Sequence, residues 1–266
     1  MAHDHDHLAE ILDLDVEVLS KHHQEMMTWA TADIPAHAYV VDLGAGTGTG
    51  TLALASQLPQ AQLVALDIDA DMLARIAHKA RVLGLADRIQ TVQADLDKPW
   101  PDQLKPADLV WAANSLHHMG DPEYAAAQIF AALRPGGVLA VTEMDSFPRF
   151  LTDPAGAALE ERVHVALAAG RAEAGLHMRV DWPACLARAG LEVEAEHRFD
   201  VVLDPPLSPA AIRYAGLVLH RASRSLDGKL AGDDLTELGA IAAGIGGRDD
   251  LAVRASRTAW RARRPA

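Results

Sequence analysis

The stretch Tyr39-Val40-Val41-Asp42-Leu43-Gly44-Ala45-Gly46-Thr47-Gly48-Thr49-Gly50 limits the fold more than any other part of this chain. β-branched and apolar residues lead into Asp42, and glycines then fall at every second position. A buried strand, a tight glycine turn and the start of a helix near Thr47 fit this order. Glycine serves such a turn in two ways: it accepts φ > 0, and it lets a ligand approach bare backbone. The first N–H groups of the following helix lack intrahelical partners and carry partial positive charge. The loop is therefore suited to an anionic or carboxylate-bearing ligand.

The spacing narrows the ligand. A dinucleotide fingerprint needs G-x-G-x-x-G. Counted from Gly44 and Gly46, the third glycine position falls on Thr49; counted from Gly46 and Gly48, it falls on Thr51. No Gly-Lys-Ser/Thr follows, so the loop is not a P-loop.

Four more segments end in polar residues after apolar runs. Gln62–Asp69 reads as a second strand ending near Asp67, which lies 23 residues after Gly44. A carboxylate there can accept hydrogen bonds from both hydroxyls of a ribose. Asp69 and Asp71 fit the start of the next helix, 70–83, which Gly84 closes. Arg88–Asp95 alternates as a third strand ending in Asp95. Ala107–Asn114 is nearly all apolar, as for a central parallel strand covered on both faces. It runs into Ser115-Leu116-His117-His118. After a helix at 122–133, Leu133-Arg134-Pro135-Gly136-Gly137 reads as a sharp turn into a fifth strand, Val138–Asp145.

Strands alternating with helices predict a doubly wound parallel sheet, which binds ligands outside the carboxyl ends of its strands. Asp42, Asp67, Asp95, Asn114 and Asp145 all fall on that rim. Later segments read as helices (155–174, 181–190 and two within 207–245) and two strands (191–203 and 250–263). The two late strands form an antiparallel pair that completes a seven-stranded sheet. Residues 8–33 read as one or two helices.

Charge and cysteine usage exclude some functions. The net charge is −13. Residues 205–266 hold 10 Lys and Arg against 6 Asp and Glu, leaving 14 against 31 in the rest. A body that acidic repels phosphate backbones, so nucleic acid is not an expected partner. Cys185 is the only cysteine, which leaves no disulfide and no cysteine-metal cluster. With no signal peptide or membrane-spanning run in view, the cytoplasm is the expected compartment. His3, His5 and His7 alternate with Asp4 and Asp6 and read as a disordered polar tail rather than a metal site. Arg254, Arg257, Arg261, Arg263 and Arg264 read as a solvated strand face and tail.

The block from Val40 to Asp145 resembles the class I S-adenosylmethionine (SAM)-dependent methyltransferases of the small-molecule type. The resemblance rests on Asp42-Leu43-Gly44-Ala45-Gly46-Thr47-Gly48, Ala65-Leu66-Asp67, Gln93-Ala94-Asp95, Ser115-Leu116-His117-His118 and Leu133-Arg134-Pro135-Gly136-Gly137. It implies an α/β, Rossmann-like, doubly wound sheet with helical lid insertions. Residues 1–35 would form an N-terminal helical cap and 36–266 the methyltransferase domain, with 146–190 and 205–245 as insertions shaping the acceptor pocket. It further implies SAM as methyl donor and S-adenosylhomocysteine as product. Asp42, Gly44, Ala45, Gly46, Thr47 and Gly48 would hold the methionine end. Asp67 would bind the ribose, Ile68 would pack on adenine, and Asp95 with Leu96 would read the adenine edge. Asn114 would contact the methionine moiety or face the methyl.

In-line attack by a small organic acceptor needs positioning first, and a base only where the nucleophile must lose a proton. His117, then His118, are the candidate bases; packing or capping of the next helix is the alternative role. His22, His23, His164 and His177 read as surface or packing residues. The chain lacks the Asn/Asp-Pro-Pro-Tyr/Phe motif of nucleic-acid amino methylation at Asn114-Ser115-Leu116-His117. Two other readings stay open: an NAD(P)-dependent oxidoreductase on the same fold, and a SAM-binding protein without catalysis. Monomer and homodimer are both compatible with the sequence.

Overall fold

The computed structural model describes residues 2–178 and 180–266; the side chains of residues 2–6 lie outside the described set. The His3, Asp4, His5 and Asp6 side chains, weighed above for metal binding, thus fall outside the described residues.

The chain forms α1 (Ala2–Val18), α2 (Ser20–Ala30), β1 (Tyr39–Leu43), α3 (Thr49–Gln57), β2 (Gln62–Asp67), α4 (Ala70–Val82), β3 (Ile89–Gln93) and β4 (Ala107–Ala113). A 3₁₀ turn at Leu116–His118 precedes α5 (Pro122–Ala132) and β5 (Leu133–Met144). Then come α6 (Pro154–Glu173), α7 (Trp182–Arg188), β6 (Glu192–Leu203), α8 (Pro209–Ser225), α9 (Gly232–Gly244) and β7 (Val253–Arg263). From Ala2 to His7 the backbone is helical in α1, not the irregular tail expected.

The strands make one seven-stranded sheet in the order β3-β2-β1-β4-β5-β7-β6. The pairs β1–β2, β1–β4, β2–β3 and β4–β5 are parallel, and the last two strands run antiparallel, as the sequence predicts. The order reverses between β1 and β4, where the crevice of such a sheet opens.

Two compact units share the chain. The larger comprises Lys21–Glu143, His177–Phe199 and Thr258–Ala266. Its parallel strands alternate their side chains between two cores. Val40, Leu109, Trp111, Val138 and Ala140 enter one; Val41, Leu43, Val110, Ala112, Leu139 and Val141 enter the other. This period of two is what a strand covered on both faces produces. Each fully buried Leu or Val side chain contributes about 1.5–3 kcal/mol.

The smaller unit comprises Met1–Ser20, Met144–Leu176 and Asp200–Arg257. Its core gathers Phe150, Leu159, Val163, Tyr214, Leu219 and Leu238. Arg257 donates to both oxygens of Asp15 at 2.7 and 2.6 Å, and the Tyr214 hydroxyl donates to the same carboxylate at 2.7 Å.

Two expectations change. First, β5 begins at Leu133, so the segment read as a turn into the strand is part of it. Leu133 pairs with Ala107, the register then shifts, and Val138 pairs with Leu109. A Cβ on Gly137 would lie 2.7 Å from the Ala107 carbonyl oxygen, so glycine permits this close backbone approach. Second, the C-terminal arginines are structural pairs rather than a solvated face. Arg257 and Arg261 are buried. Arg261 and Arg263 both pair with Asp33, Arg263 also pairs with Glu194, and Arg254 pairs with Asp204. Arg264 donates to the carbonyls of Phe130, Ala131 and Leu133, capping α5.

Candidate cofactor and active site

The site forms at the carboxyl ends of β1, β2 and β4, within the larger unit. Gly44, Gly46 and Gly48 all have positive φ, at 63°, 52° and 81°. A Cβ on Gly44 would lie 2.6 Å from Ser115 Cβ, and one on Gly48 would lie 2.6 Å from Ile76 Cγ1. Two of the glycines are thus required twice, by conformation and by space. The turn closes through Ala45 N–H to the Leu66 carbonyl at 3.0 Å and Gly48 N–H to the Ala45 carbonyl at 2.9 Å. Helix α3 starts at Thr49, two residues later than expected, with Gly48 as its N-cap and no side-chain cap.

Asp67 ends β2 and ties this loop to its neighbour. One oxygen accepts from Gly46 N–H at 2.8 Å, the other from Asp69 N–H at 2.9 Å. Each carboxylate oxygen retains a further lone pair. Asp69 caps α4, accepting from the N–H groups of Asp71 and Met72. Asp42 is buried at 2% exposure and accepts from Thr51 Oγ1 at 2.5 Å. Burial pushes its carboxyl up to about 7; the Thr51 hydrogen bond opposes this and the Asp67 charge adds to it.

Ile68, by contrast, is 64% exposed. Asp95 lies two residues past the end of β3 and pairs with Lys98 at 2.9 Å; that hydrogen bond holds its carboxyl below the usual range. Leu96 is buried in the core beside β4.

Asn114 follows β4 with φ 51°, the one non-glycine residue with positive φ among the described residues. Such conformations persist only where the surroundings fix them, and they cluster at functional sites. Its N–H donates to the Thr142 carbonyl at 2.8 Å. Thr47 Oγ1, Asn114 Oδ1 and Ser115 Oγ are all buried without a protein partner. Buried polar atoms are nearly always hydrogen-bonded. Three orphans beside a glycine turn therefore fit a polar ligand that supplies their partners.

The 3₁₀ turn then presents the paired histidines. His117 is buried at 3% exposure. Its Nδ1 lies 2.6 Å from Glu143 Oε2, and its ring lies 4.1 Å from that of His118. Glu143 Oε1 accepts from Leu116 N–H at 3.0 Å and His117 N–H at 3.3 Å. The backbone N–H of His177 donates to the His117 carbonyl at 2.8 Å. The His164 ring, in the smaller unit, packs at a tilt against Phe147 with centroids 5.3 Å apart, and burial pushes it down to about 4. His23 is buried in α2. Sequence reasoning missed Glu143 and Thr51; it named Asp145, two residues beyond Glu143. Among the described residues no cluster of three His, Cys, Asp or Glu could hold a metal, and no helix is long and apolar enough to cross a membrane.

A doubly wound parallel sheet whose ligand rim joins a positive-φ glycine loop to strand-end acids defines a Rossmann-like cofactor-binding domain. Residues 40–137 match a family model described as a methyltransferase domain. Over this stretch the chain is similar to SAM-dependent methyltransferases. It is 31% identical over 156 residues to a 27-O-demethylrifamycin SV methyltransferase of Amycolatopsis mediterranei (strain S699), covering 58% of this chain and 54% of that protein. It is 35% identical over 117 residues to a trans-aconitate 2-methyltransferase of Paracidovorax citrulli (strain AAC00-1), covering 44% of this chain and 43% of that one. The chain thus spans about half the length of these curated relatives. Among solved structures, the YcgJ protein of Bacillus subtilis matches with a TM-score of 0.59 at 16% identity, covering 92% of this chain and 99% of that one. A geranyl diphosphate C-methyltransferase of Streptomyces coelicolor A3(2) matches with a TM-score of 0.56 at 14% identity, covering 92% and 81%. At such identities the structures speak for the fold alone.

Proposed function

We propose that this protein transfers the methyl group of SAM to a small organic acceptor and releases S-adenosylhomocysteine. The observation that carries the reading is the set of three orphaned buried polar atoms, on Thr47, Asn114 and Ser115, beside the positive-φ glycine loop. In this reading Gly44, Ala45, Gly46, Thr47 and Gly48 cradle the methionine end, with Asp42 beneath them. Asp67 accepts from the ribose hydroxyls. The exposed Ile68 side chain packs on adenine, and Asp95 with Leu96 meets the adenine edge. Asn114 faces the methionine moiety.

Bound SAM supplies an electrophilic methyl: the acceptor's heteroatom bonds to that carbon as the carbon–sulfur bond breaks. The protein's share is to hold the acceptor in line and, for a protonated nucleophile, to take its proton. His117 is the first candidate for that proton and His118 the second.

Acceptor choice we assign to the helical segments 1–35, 146–190 and 205–245, treating 36–266 as the methyltransferase domain. The named relatives act on small molecules, and a net charge of −13 disfavours nucleic acid. The expected compartment is the cytoplasm. Cys185 is buried, and burial pushes its thiol up to about 11, as for an inert packing residue.

The test is turnover. Methyl-labelled SAM is incubated with a panel of small phenols, amines and carboxylic acids. Label in a small organic product is the expected result. Label that stays in SAM across the panel, or moves only into added nucleic acid, contradicts the proposal.

A further inference from the structure

We infer that Glu143 is a positioning residue that makes His117 Nε2 a proton acceptor, which suits the site to an acceptor whose nucleophile must give up a proton, such as a hydroxyl. This deepens the methyltransferase reading and rests on it.

Glu143 is buried, at 6% exposure, near the end of β5. Two backbone N–H groups and the His117 ring nitrogen meet its carboxylate. Oε1 takes the two backbone donors, Leu116 N–H at 3.0 Å and His117 N–H at 3.3 Å. Oε2 takes the imidazole at 2.6 Å. An ionised carboxylate accepts at both oxygens and has no proton to donate. His117 Nδ1 must therefore be the donor. In a neutral imidazole that leaves the lone pair on Nε2.

A clamp on the 3₁₀ turn alone would need only Oε1. The second oxygen fixes the tautomer, and the His118 ring at 4.1 Å helps fix the ring plane. The turn is also well placed: Ser115, two residues earlier, is the residue that Gly44 approaches so closely. When an acceptor O–H is methylated, its proton goes to Nε2, and the imidazolium faces the Glu143 carboxylate. A carboxylic acid acceptor, ionised at neutral pH, has no proton to give and needs no such pair.

The test uses the full chain and the variant Glu143→Gln. The glutamine carbonyl can still accept the backbone N–H groups, while its NH₂ now faces Nδ1 and forces the proton onto Nε2. Long-range ¹H–¹⁵N spectra of the imidazoles should show His117 as the Nδ1–H tautomer in the parent and the Nε2–H tautomer in the variant. S-adenosylhomocysteine affinity should stay within about twofold. With a panel of phenols and catechols, kcat should fall by about 100-fold, in the range of general-base catalysis, while KM for the acceptor changes little. An Nε2–H tautomer in the parent overturns the inference. So does unchanged kcat in Glu143→Gln, or turnover of trans-aconitate with none of the hydroxyl panel. Failure of the parent to bind S-adenosylhomocysteine would instead defeat the methyltransferase reading itself.

Discussion

Thr51 Oγ1 donates to Asp42 Oδ2 at 2.5 Å, across nine residues, under the glycine loop. Asp42 has almost no contact with water, and burial pushes its carboxyl up to about 7. The sign follows from proton binding: between the unfolded value of about 3.9 and about 7, the folded state holds a proton that the unfolded state releases. This group's contribution is therefore fully present at low pH and lost as pH rises through that window, by at most about 4 kcal/mol. Asp42→Asn keeps an acceptor for Thr51 and removes the charge. In urea unfolding, the variant should gain stability relative to the parent as pH rises from 4 to 8. A difference independent of pH would show that Asp42 is not the titrating group.

The glycine loop gives a paired prediction. Gly44→Ala forces an L side chain to φ 63° and places a Cβ 2.6 Å from Ser115 Cβ. Left-handed backbone costs about 1–2 kcal/mol, and overpacking about 1–3 kcal/mol more. Gly84, at φ 70°, has nothing within 4 Å of its would-be Cβ, so Gly84→Ala should cost the backbone part alone. Denaturant midpoints of the two variants check this; equal losses would mean that the loop is not sterically closed.

How much of this could be read from the chain itself? The parallel sheet was legible because Val40–Leu43 and Ala107–Ala113 carry apolar residues on both faces, and the glycine turn because its spacing is local. The capping role of Asp69 was equally local. Glu143 was not: strand side chains alternate, and which strand-end residue meets His117 depends on β4–β5 pairing that no short pattern encodes. Arg88, which donates to the carbonyls of Ala55, Leu58 and Ala61 at the end of α3, is a second such case. The arginines of β7 looked solvated because charge in an alternating strand usually is. The partners of Arg257 and Arg261, Asp15 and Asp33, lie more than 220 residues away in the chain.

Within the smaller unit, the buried Arg257–Asp15 pair predicts a large stability effect. The Arg257 side chain is 11% exposed and Asp15 16%. Asp15→Asn would leave a buried guanidinium uncompensated, at a cost of about 3–5 kcal/mol. The double variant Asp15→Leu with Arg257→Met should lose much less. Equal losses in chemical denaturation would contradict a charge-pairing role.

Asp67 joins the loop to the proposed ribose site, so Asp67→Asn should weaken S-adenosylhomocysteine binding by about 10- to 100-fold, as a hydrogen bond to a charged group contributes about 1.5–3 kcal/mol. Isothermal titration measures it. An affinity within twofold of the parent would remove Asp67 from the cofactor site.

The most direct check on the whole account is ligand-dependent unfolding with S-adenosylhomocysteine and NADH side by side. A ligand present at 100 times its dissociation constant stabilises the folded state by about 2.7 kcal/mol. The methyltransferase account predicts a stabilisation that grows with S-adenosylhomocysteine concentration and none with NADH. Stabilisation by NADH with no response to S-adenosylhomocysteine would contradict it.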